Sequence, residues 1–386
     1  MVIIKEVKGK KILDTRKEKT ILISIKTDLG VFSASAPNGK SKGKHEAKSY
    51  KKDLNGDIKV VGEISDYFSE EVIEKFEDLR RVEDIVEGHV GANTMFALES
   101  AILRALACEQ KKQVWQIINP EAKKFPRFVG NVIGGGKHSD SKKKPDFQEF
   151  LLIPKSNSPK KSFEEMEKLK ENVRISLKEK NKYFKEEEND ENAWQTSLNE
   201  KEVLEILNDL KVDIGVDVAS SGFYKRKKYY YENPKLTRTM EEQFSYLKSL
   251  IKNFGLFYIE DGFEEEGFKE FSELLKSFPE SLIVGDDLTV TDEKRLNKAI
   301  EEKSINAIIV KPNQNGSLMK VKRICEIAKE NNIKIVFSHR SGETSENILA
   351  DLAFGFEADF FKCGIDGKGR KEKIQRLIEI EKNVKG

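Results

Sequence analysis

Six ionisable side chains follow six short apolar runs in the second half of the chain. They are Asp217, Glu260, Asp286, Lys311, His339 and Lys362. From Glu260 onward, successive positions in this series differ by 26, 25, 28 and 23 residues, and most of the runs are followed by an amphipathic stretch. One strand, one loop and one helix together occupy about this many residues, so the spacing places each side chain at the same end of successive β/α units. A single charged residue at a strand end is usually solvated, but the repetition predicts a shared pocket.

The residue types in this series predict metal-assisted proton abstraction. Asp217, Glu260 and Asp286 form an all-oxygen ligand set, which suits Mg²⁺, and the small share of Cys and His disfavours zinc. Burial and a neighbouring cation lower the pKa of a lysine, so we expect Lys311 or Lys362 to serve as a base near neutral pH. Removal of a proton α to a carboxylate creates a dianion that needs nearby positive charge. The set therefore suits carbanion chemistry.

The elements that must position these side chains form an α/β protein in two parts. Residues 1–125 mix alternating strand patterns with helical ones, which predicts a small α+β domain carrying a lid loop. Residues 126–386 have the repeated β/α pattern of a TIM-type β/α barrel, whose active site lies at the carboxyl ends of the strands. This explains why the apolar run at 335–337 ends in the polar sequence Ser-His-Arg-Ser-Gly.

Composition disfavours several other classes of function. The 386 residues include 69 Lys and Arg against 67 Asp and Glu, interspersed along the chain, which disfavours a nucleic-acid partner. The three cysteines are odd in number and have no Cys-x-x-Cys spacing, which indicates a reducing compartment. No run of 18 apolar residues is present, so we expect a cytoplasmic protein without a membrane partner.

Several motifs resemble those of the enolase family. They are ILDTR from Ile12, FQEF from Phe147, DVASS from Asp217, GDDLTVT from Gly285 and SHRSGET from Ser338. The similarity extends from about Ile12 to about Glu381, and GNVIGGGKHS, ENAW and VKPNQ resemble the archaeal branch. The resemblance implies an enolase-like barrel with a smaller N-terminal domain, and a hydro-lyase of glycolysis that converts 2-phosphoglycerate to phosphoenolpyruvate. A lysine or histidine base that works with one or two Mg²⁺ ions is a general property of the enolase superfamily, and the resemblance implies it here as well.

The resemblance also implies a role for each matching residue. The implied catalytic residues are Lys311 as the base at C2, Glu191 as the acid at the C3 hydroxyl, Glu149 as its support, and His339 beside the reacting end of the substrate. The implied substrate contacts are Lys362 on the carboxylate, Arg340 and Ser341 on the phosphate, His138 on a closing loop, and Gln148 next to Glu149. The implied ligands of the first Mg²⁺ are Asp217, Glu260 and Asp286, and Ser41 would bind a second Mg²⁺.

The chain departs from the family pattern at a few positions. Asn192 follows the implied acid where Gly is usual, and Gly262 stands where Pro is usual. Lysines at 40, 42 and 137 lie in the implied lids. These departures leave an alternative open: a diverged paralogue, either a dehydratase of another phosphorylated hydroxy acid or a non-catalytic binding protein. The resemblance further implies a small phosphorylated hydroxy-acid substrate and a homodimer or higher homo-oligomer.

Overall fold

The computed structural model describes residues 1–40 and 43–385. The strands are β1 Val2–Ile3, β2 Glu6–Leu13, β3 Lys19–Thr27, β4 Gly30–Ser35, β5 Val72–Ile73, β6 Arg127–Gly134, β7 Glu149–Ile153, β8 Trp194–Gln195, β9 Asp213–Asp217, β10 Tyr224–Lys225, β11 Lys228–Glu232, β12 Lys235–Arg238, β13 Tyr258–Glu260, β14 Leu282–Gly285, β15 Ala307–Val310, β16 Lys334–Ser338 and β17 Phe360–Gly364. The α-helices are α1 Leu54–Glu63, α2 Leu79–Val86, α3 Ala92–Glu109, α4 Val114–Ile118, α5 Pro159–Lys180, α6 Glu200–Asn208, α7 Met240–Phe254, α8 Phe268–Ser277, α9 Glu293–Glu301, α10 Leu318–Glu330, α11 Ile348–Gly355 and α12 Lys371–Lys385.

The N-terminal part is an antiparallel three-stranded sheet with helices packed on it. The sheet has the order β2-β3-β4. Ile21, Ile23 and Ile25 alternate along β3 and are fully buried, as expected for a strand with one face on a core. Helix α3 packs against β3 and β4, and most of its side chains are buried. The α+β character predicted for this part of the chain is confirmed.

The remainder of the chain forms a closed eight-stranded barrel. Its strand order is β6-β7-β9-β13-β14-β15-β16-β17, and β17 pairs with β6 to close it. All neighbours are parallel except at β7, which is antiparallel to both β6 and β9. Side chains from alternate strand positions, such as Tyr258, Val284 and Ile309, fill the interior. The predicted barrel is therefore confirmed, with one reversed strand, while the domain boundary at residue 125 remains a prediction.

Local sequence signals determine where helix α7 begins and ends. Thr239 caps α7 by accepting a hydrogen bond from the backbone N–H of Glu242, whose side chain in turn bonds the backbone N–H of Thr239. The helix ends at Gly255, whose φ of 59° is left-handed and suits glycine. Strand β13 begins three residues later. This short turn therefore leads α7 directly into the next barrel strand.

No disulfide or membrane-spanning helix is found in the described ranges. Cys108, Cys325 and Cys363 are free thiols. Among the residues that the structure describes, no helix combines the length and the apolar character needed to cross a bilayer.

Candidate active site

The strand ends meet in one buried cavity at the carboxyl edge of the barrel. Five of the six residues in the strand-end series line it: Asp217, Asp286, Lys311, His339 and Lys362. Glu260, the sixth, is fully buried and bonds Lys362. Glu149 and Gln148 also line the cavity. Because β7 runs antiparallel to its neighbours, its first residue, Glu149, lies at the edge where the other strands end.

The ammonium group of Lys362 is bonded to three carboxylates. Its Nζ lies 2.8 Å from Glu260, 2.9 Å from Asp217 and 3.0 Å from Glu149. The hydroxyl of Tyr258 donates a further hydrogen bond to Glu260 at 2.7 Å. Burial disfavours charge on Lys362, but the three carboxylates outweigh it and raise its pKa well above the ordinary value. Burial and the charge of Asp217 likewise raise the pKa of Glu260 well above its ordinary value.

Lys311 is paired in the same way with Asp286. Its ammonium donates a short hydrogen bond to Asp286 Oδ2, and the side chain of Gln314 bonds the other carboxylate oxygen at 3.3 Å. Burial disfavours the charged form, but Asp286 raises the pKa of Lys311 above its ordinary value. The expectation of lowered pKa values for Lys311 and Lys362 is therefore wrong for this arrangement, because each lysine has a carboxylate within bonding distance.

The acidic residues beside Lys311 fit a hard divalent cation. Ligand oxygens of Asp261, Asp286 and Asp287 lie within 4.8 Å of one another. Asp261 accepts hydrogen bonds from the backbone N–H groups of Asp286, at 3.0 Å, and Asp287, at 2.7 Å. Burial and mutual repulsion raise the pKa of Asp261 well above its ordinary value and that of Asp287 to about 7. Oxygen ligands whose charges repel one another are suited to a divalent ion that neutralises them.

The three predicted metal ligands are divided between the two lysines. Asp217 and Glu260 share the ammonium group of Lys362, whereas Asp286 bonds Lys311 and adjoins Asp261 and Asp287. The sequence showed Asp287 next to Asp286 and Asp261 next to Glu260, but neither was expected in this cluster. Ser41, the implied ligand of a second ion, and Lys42 lie outside the described residues.

A second buried cluster brings His138, Glu149 and Glu191 together. His138 Nδ1 lies 3.4 Å from Glu149 and 3.5 Å from Glu191. Burial opposes the charge on the ring, but Glu191 and then Glu149 outweigh it and raise the pKa of His138 to about 9. Burial raises the pKa of Glu149 to about 8. In Glu191, burial is outweighed by the charge of His138, which holds the pKa well below its usual range. His138 and Glu149 are thus the members of the cluster that retain protons near neutral pH.

Two further side chains contact Glu191. Asn131 donates a hydrogen bond to its carboxylate at 3.0 Å. His339 Nε2 lies 3.7 Å from the same oxygen, and burial holds the pKa of His339 well below its ordinary value. The predicted neighbourhood of Glu191, Glu149, His138 and His339 is therefore present, although its roles in a reaction remain predictions.

The N-terminal domain contacts two residues that line the cavity, Arg340 and Ser341. Both guanidinium nitrogens of Arg340 bond the carboxylate of Glu46, at 3.0 and 3.1 Å. Ser341 Oγ accepts hydrogen bonds from the backbone N–H of Lys40 and from Arg16 Nη1, each at 2.8 Å. Glu46 and Arg16 lie 294 and 325 residues from their partners, so no local pattern in the sequence indicated these contacts.

The fold and the site define a class of protein: a β/α barrel whose carboxyl-end cavity brings together acidic groups suited to a divalent cation and basic groups suited to an anion. Comparison with known proteins gives the particular family. The model described as "Enolase, C-terminal TIM barrel domain" matches residues 122–386, and that described as "Enolase, N-terminal domain" matches residues 4–118. The chain belongs to the enolase family.

Archaeal proteins named Enolase are similar over nearly the whole chain. The one from Methanosphaera stadtmanae is 34% identical over 408 residues, covering 99% of this chain and 97% of the relative. The one from Archaeoglobus fulgidus is 33% identical and covers 98% and 97%. The one from Pyrobaculum aerophilum is 34% identical and covers 94% and 91%.

Proposed function

We propose that the protein is a Mg²⁺-dependent enolase that converts 2-phosphoglycerate to phosphoenolpyruvate and water. The observation that carries this proposal is the shared cavity, because Lys311, Glu191, Arg340 and Ser341 all line it. It therefore contains a candidate base, a candidate acid and an anion-binding end. The family relationship supports the same reaction.

The substrate is held by its two anionic groups. Arg340 and Ser341 bind the phosphate, since a guanidinium and a hydroxyl are donors suited to phosphate oxygens. Lys362 binds the carboxylate. Asp217, Glu260 and Asp286 would hold the first Mg²⁺ and Ser41 a second, and the ions would supply positive charge that stabilises the carbanion.

Lys311 removes the proton from C2 and must be a neutral amine to do so. Asp286 determines when this form is available, because in the present arrangement it bonds the ammonium group and favours its charge. As a metal ligand, Asp286 would no longer be available to pair with the ammonium group of Lys311. The burial of Lys311 would then favour its neutral amine form.

Glu191 supplies the proton that leaves with the C3 hydroxyl, and the carbon–oxygen bond breaks as the C2–C3 double bond forms. Because its pKa is low, Glu191 must first receive a proton from a neighbour. His138 and Glu149 both hold protons near neutral pH, and Nδ1 of His138 lies 3.5 Å from the Glu191 carboxylate. His138 thus serves as the proton source for Glu191.

The alternative of a diverged paralogue receives less support. The lid lysine Lys40, which suggested a different anion, lies 3.3 Å from Asp190 and is paired with it. A phosphorylated hydroxy acid as substrate, a homodimer or higher oligomer, and a cytoplasmic location are parts of the proposal that rest on the family resemblance.

The first experiment measures turnover. Purified protein is given 2-phosphoglycerate and Mg²⁺, with and without EDTA, and phosphoenolpyruvate is followed by its absorbance. We expect turnover that EDTA abolishes. Absence of turnover with Mg²⁺ present contradicts the proposed function.

The second experiment separates the base from the acid by exchange of the C2 hydrogen in deuterated water. Lys311→Ala should abolish both exchange and dehydration, whereas Glu191→Gln should lower dehydration by about 10²- to 10⁴-fold and leave exchange measurable. Matched controls are Lys334→Ala, at the start of β16, and Glu187→Gln, whose side chain is exposed. Normal exchange in Lys311→Ala contradicts its role as the base.

A further inference from the structure

The hydroxyl group of Ser341 is oriented by two donors from the N-terminal domain. Arg16 Nη1 and the backbone N–H of Lys40 both donate to its Oγ at 2.8 Å. A serine oxygen has two lone pairs and one hydrogen, so these donors occupy both acceptor positions. Within residues 1–40 and 43–385, no acceptor is bonded to the hydroxyl hydrogen. The remaining hydrogen is therefore available to a ligand in the cavity that Ser341 lines.

We propose that Arg16 is a positioning residue that fixes the hydroxyl of Ser341 as a hydrogen-bond donor to the substrate phosphate. The proposal rests on the proposed function, because it takes the phosphate to bind at Ser341. It assigns part of the recognition of phosphate to a side chain that does not line the cavity. The phosphate site is then assembled from both domains.

The segment that carries Arg16 is held firmly against the barrel. The backbone N–H of Thr15 bonds the carbonyl of Glu343 at 2.8 Å, and the backbone N–H of Arg16 bonds Asp14 at 2.8 Å. The Arg16 side chain is only 10% exposed. Its guanidinium also pairs with Glu18, which is itself exposed. A side chain with two partners and little solvent access has few rotamers available, which suits a positioning role.

With its two acceptor positions occupied, the hydroxyl of Ser341 directs its hydrogen to the phosphate and so strengthens phosphate binding. Without Arg16, one lone pair of Ser341 Oγ is freed, and the hydroxyl can rotate away from the phosphate or bond water. The interaction lost is the hydrogen bond from the Ser341 hydroxyl to the charged phosphate, which forms in the substrate complex. Its loss should weaken binding without changing the chemical step.

Steady-state kinetics with 2-phosphoglycerate test the proposal. Arg16→Met should raise KM about tenfold and change kcat by less than about threefold, because the interaction is the same in the ground state and the transition state. Arg16→Lys, which keeps a cation, should give an intermediate KM. Glu18→Gln, which removes the other partner of Arg16, should leave KM within about twofold of the unsubstituted protein. An unchanged KM in Arg16→Met overturns the proposal.

A double-mutant cycle separates positioning from a merely structural role. If Arg16 acts through Ser341, adding Arg16→Met to Ser341→Ala should raise KM by less than about twofold further. Fully additive effects overturn the proposal, as does an equal loss of kcat and kcat/KM in Arg16→Met. Circular dichroism and thermal unfolding check that each variant is folded, and Arg16→Gln replaces Arg16→Met in the cycle if the latter is not.

Binding of inorganic phosphate, measured calorimetrically, distinguishes failure of this proposal from failure of the proposed function. Lack of turnover by the unsubstituted protein contradicts the enolase reaction only. Weaker phosphate binding by Arg16→Met than by Glu18→Gln still supports the role of Arg16. Equal phosphate affinities in these two variants overturn it.

Discussion

Replacement of His138 by asparagine removes a protonated ring that lies 3.5 Å from the Glu191 carboxylate. The His138 side chain is 5% exposed, and two carboxylates lie within 3.5 Å of its Nδ1. Burial opposes the charge on the ring, but Glu191 and Glu149 raise its pKa from 6.5 to about 9. His138→Asn keeps a polar side chain of similar size and cannot carry this charge.

The magnitude follows from the linkage between protonation and folding. A histidine whose pKa is higher in the folded state stabilises the fold fully below its unfolded pKa of 6.5, and this contribution is lost as the pH rises through 9. At about 1.4 kcal/mol for each pH unit, the shift corresponds to about 3 kcal/mol. The free energy of unfolding of His138→Asn should therefore lie below that of the unsubstituted protein near pH 6. The difference should shrink by about 3 kcal/mol by about pH 10.

Urea unfolding measured at several pH values tests this expectation. The two tryptophans, Trp115 and Trp194, provide the fluorescence signal. His89→Asn, at an exposed histidine, is the matched control and should follow the unsubstituted protein at every pH. If the difference between His138→Asn and the unsubstituted protein is the same at low and high pH, His138 does not hold a proton in the folded state. The proposed proton source for Glu191 is then refuted.

Two other substitutions test the metal site and the phosphate end. Asp286→Ala removes the carboxylate that belongs to the acidic cluster and pairs with Lys311, so the affinity for Mg²⁺ should fall at least about tenfold by calorimetric titration. Asp209→Ala, at an exposed carboxylate, should retain full affinity, and unchanged binding in Asp286→Ala contradicts the assignment. Gly39→Ala places a new Cβ 1.9 Å from Arg340 Nη2, so the guanidinium must shift and KM should rise about tenfold. Gly62→Ala, where nothing lies within 4 Å of a new Cβ, is its control, and equal KM values in the two variants contradict the close packing.

The periodic part of the site could be predicted from the sequence because topology determines it. Asp286, Lys311 and His339 each come directly after a strand, and parallel strands bring such positions to one edge. Glu149 lies at the same edge for a different reason, the reversal of β7. The other four residues of β7 are all apolar, so the strand carries no sign of its direction. Only the resemblance to the enolase family indicated Glu149.

The charge balance of the site could not be predicted from the sequence. Positive neighbours and burial were expected to lower the pKa of Lys311 and Lys362, yet the pairing with carboxylates outweighs both effects. A pKa depends on distances of a few ångströms between residues remote in sequence. The bond between Lys362 and Asp217 spans 145 residues. Residue types and spacing show which charges converge, but they do not show which pairs touch.

The departures from the family pattern are accommodated by contacts that leave the proposed catalytic groups in place. Asn192 replaces the usual glycine and has a left-handed φ of 60°, a conformation that asparagine tolerates better than most residues. Its side chain bonds Glu188 at 3.0 Å and packs against Gly367, where a Cβ would lie 1.8 Å from Asn192 Oδ1. Other contacts position Glu191: Asn131 donates a hydrogen bond to its carboxylate, and its backbone N–H donates to the Asn189 side chain.

Gly262, which stands where the family usually has proline, is also accommodated by the surrounding structure. A residue that precedes proline is restricted to extended conformations, but Asp261 has a φ of 43°. Glycine at 262 removes that restriction, and Asp261 then accepts both backbone hydrogen bonds from Asp286 and Asp287. The conformation and hydrogen bonds of the acidic loop are thus compatible with glycine at position 262. Both departures change how the site is supported and leave its chemical groups intact, which favours the enolase reaction over a non-catalytic role.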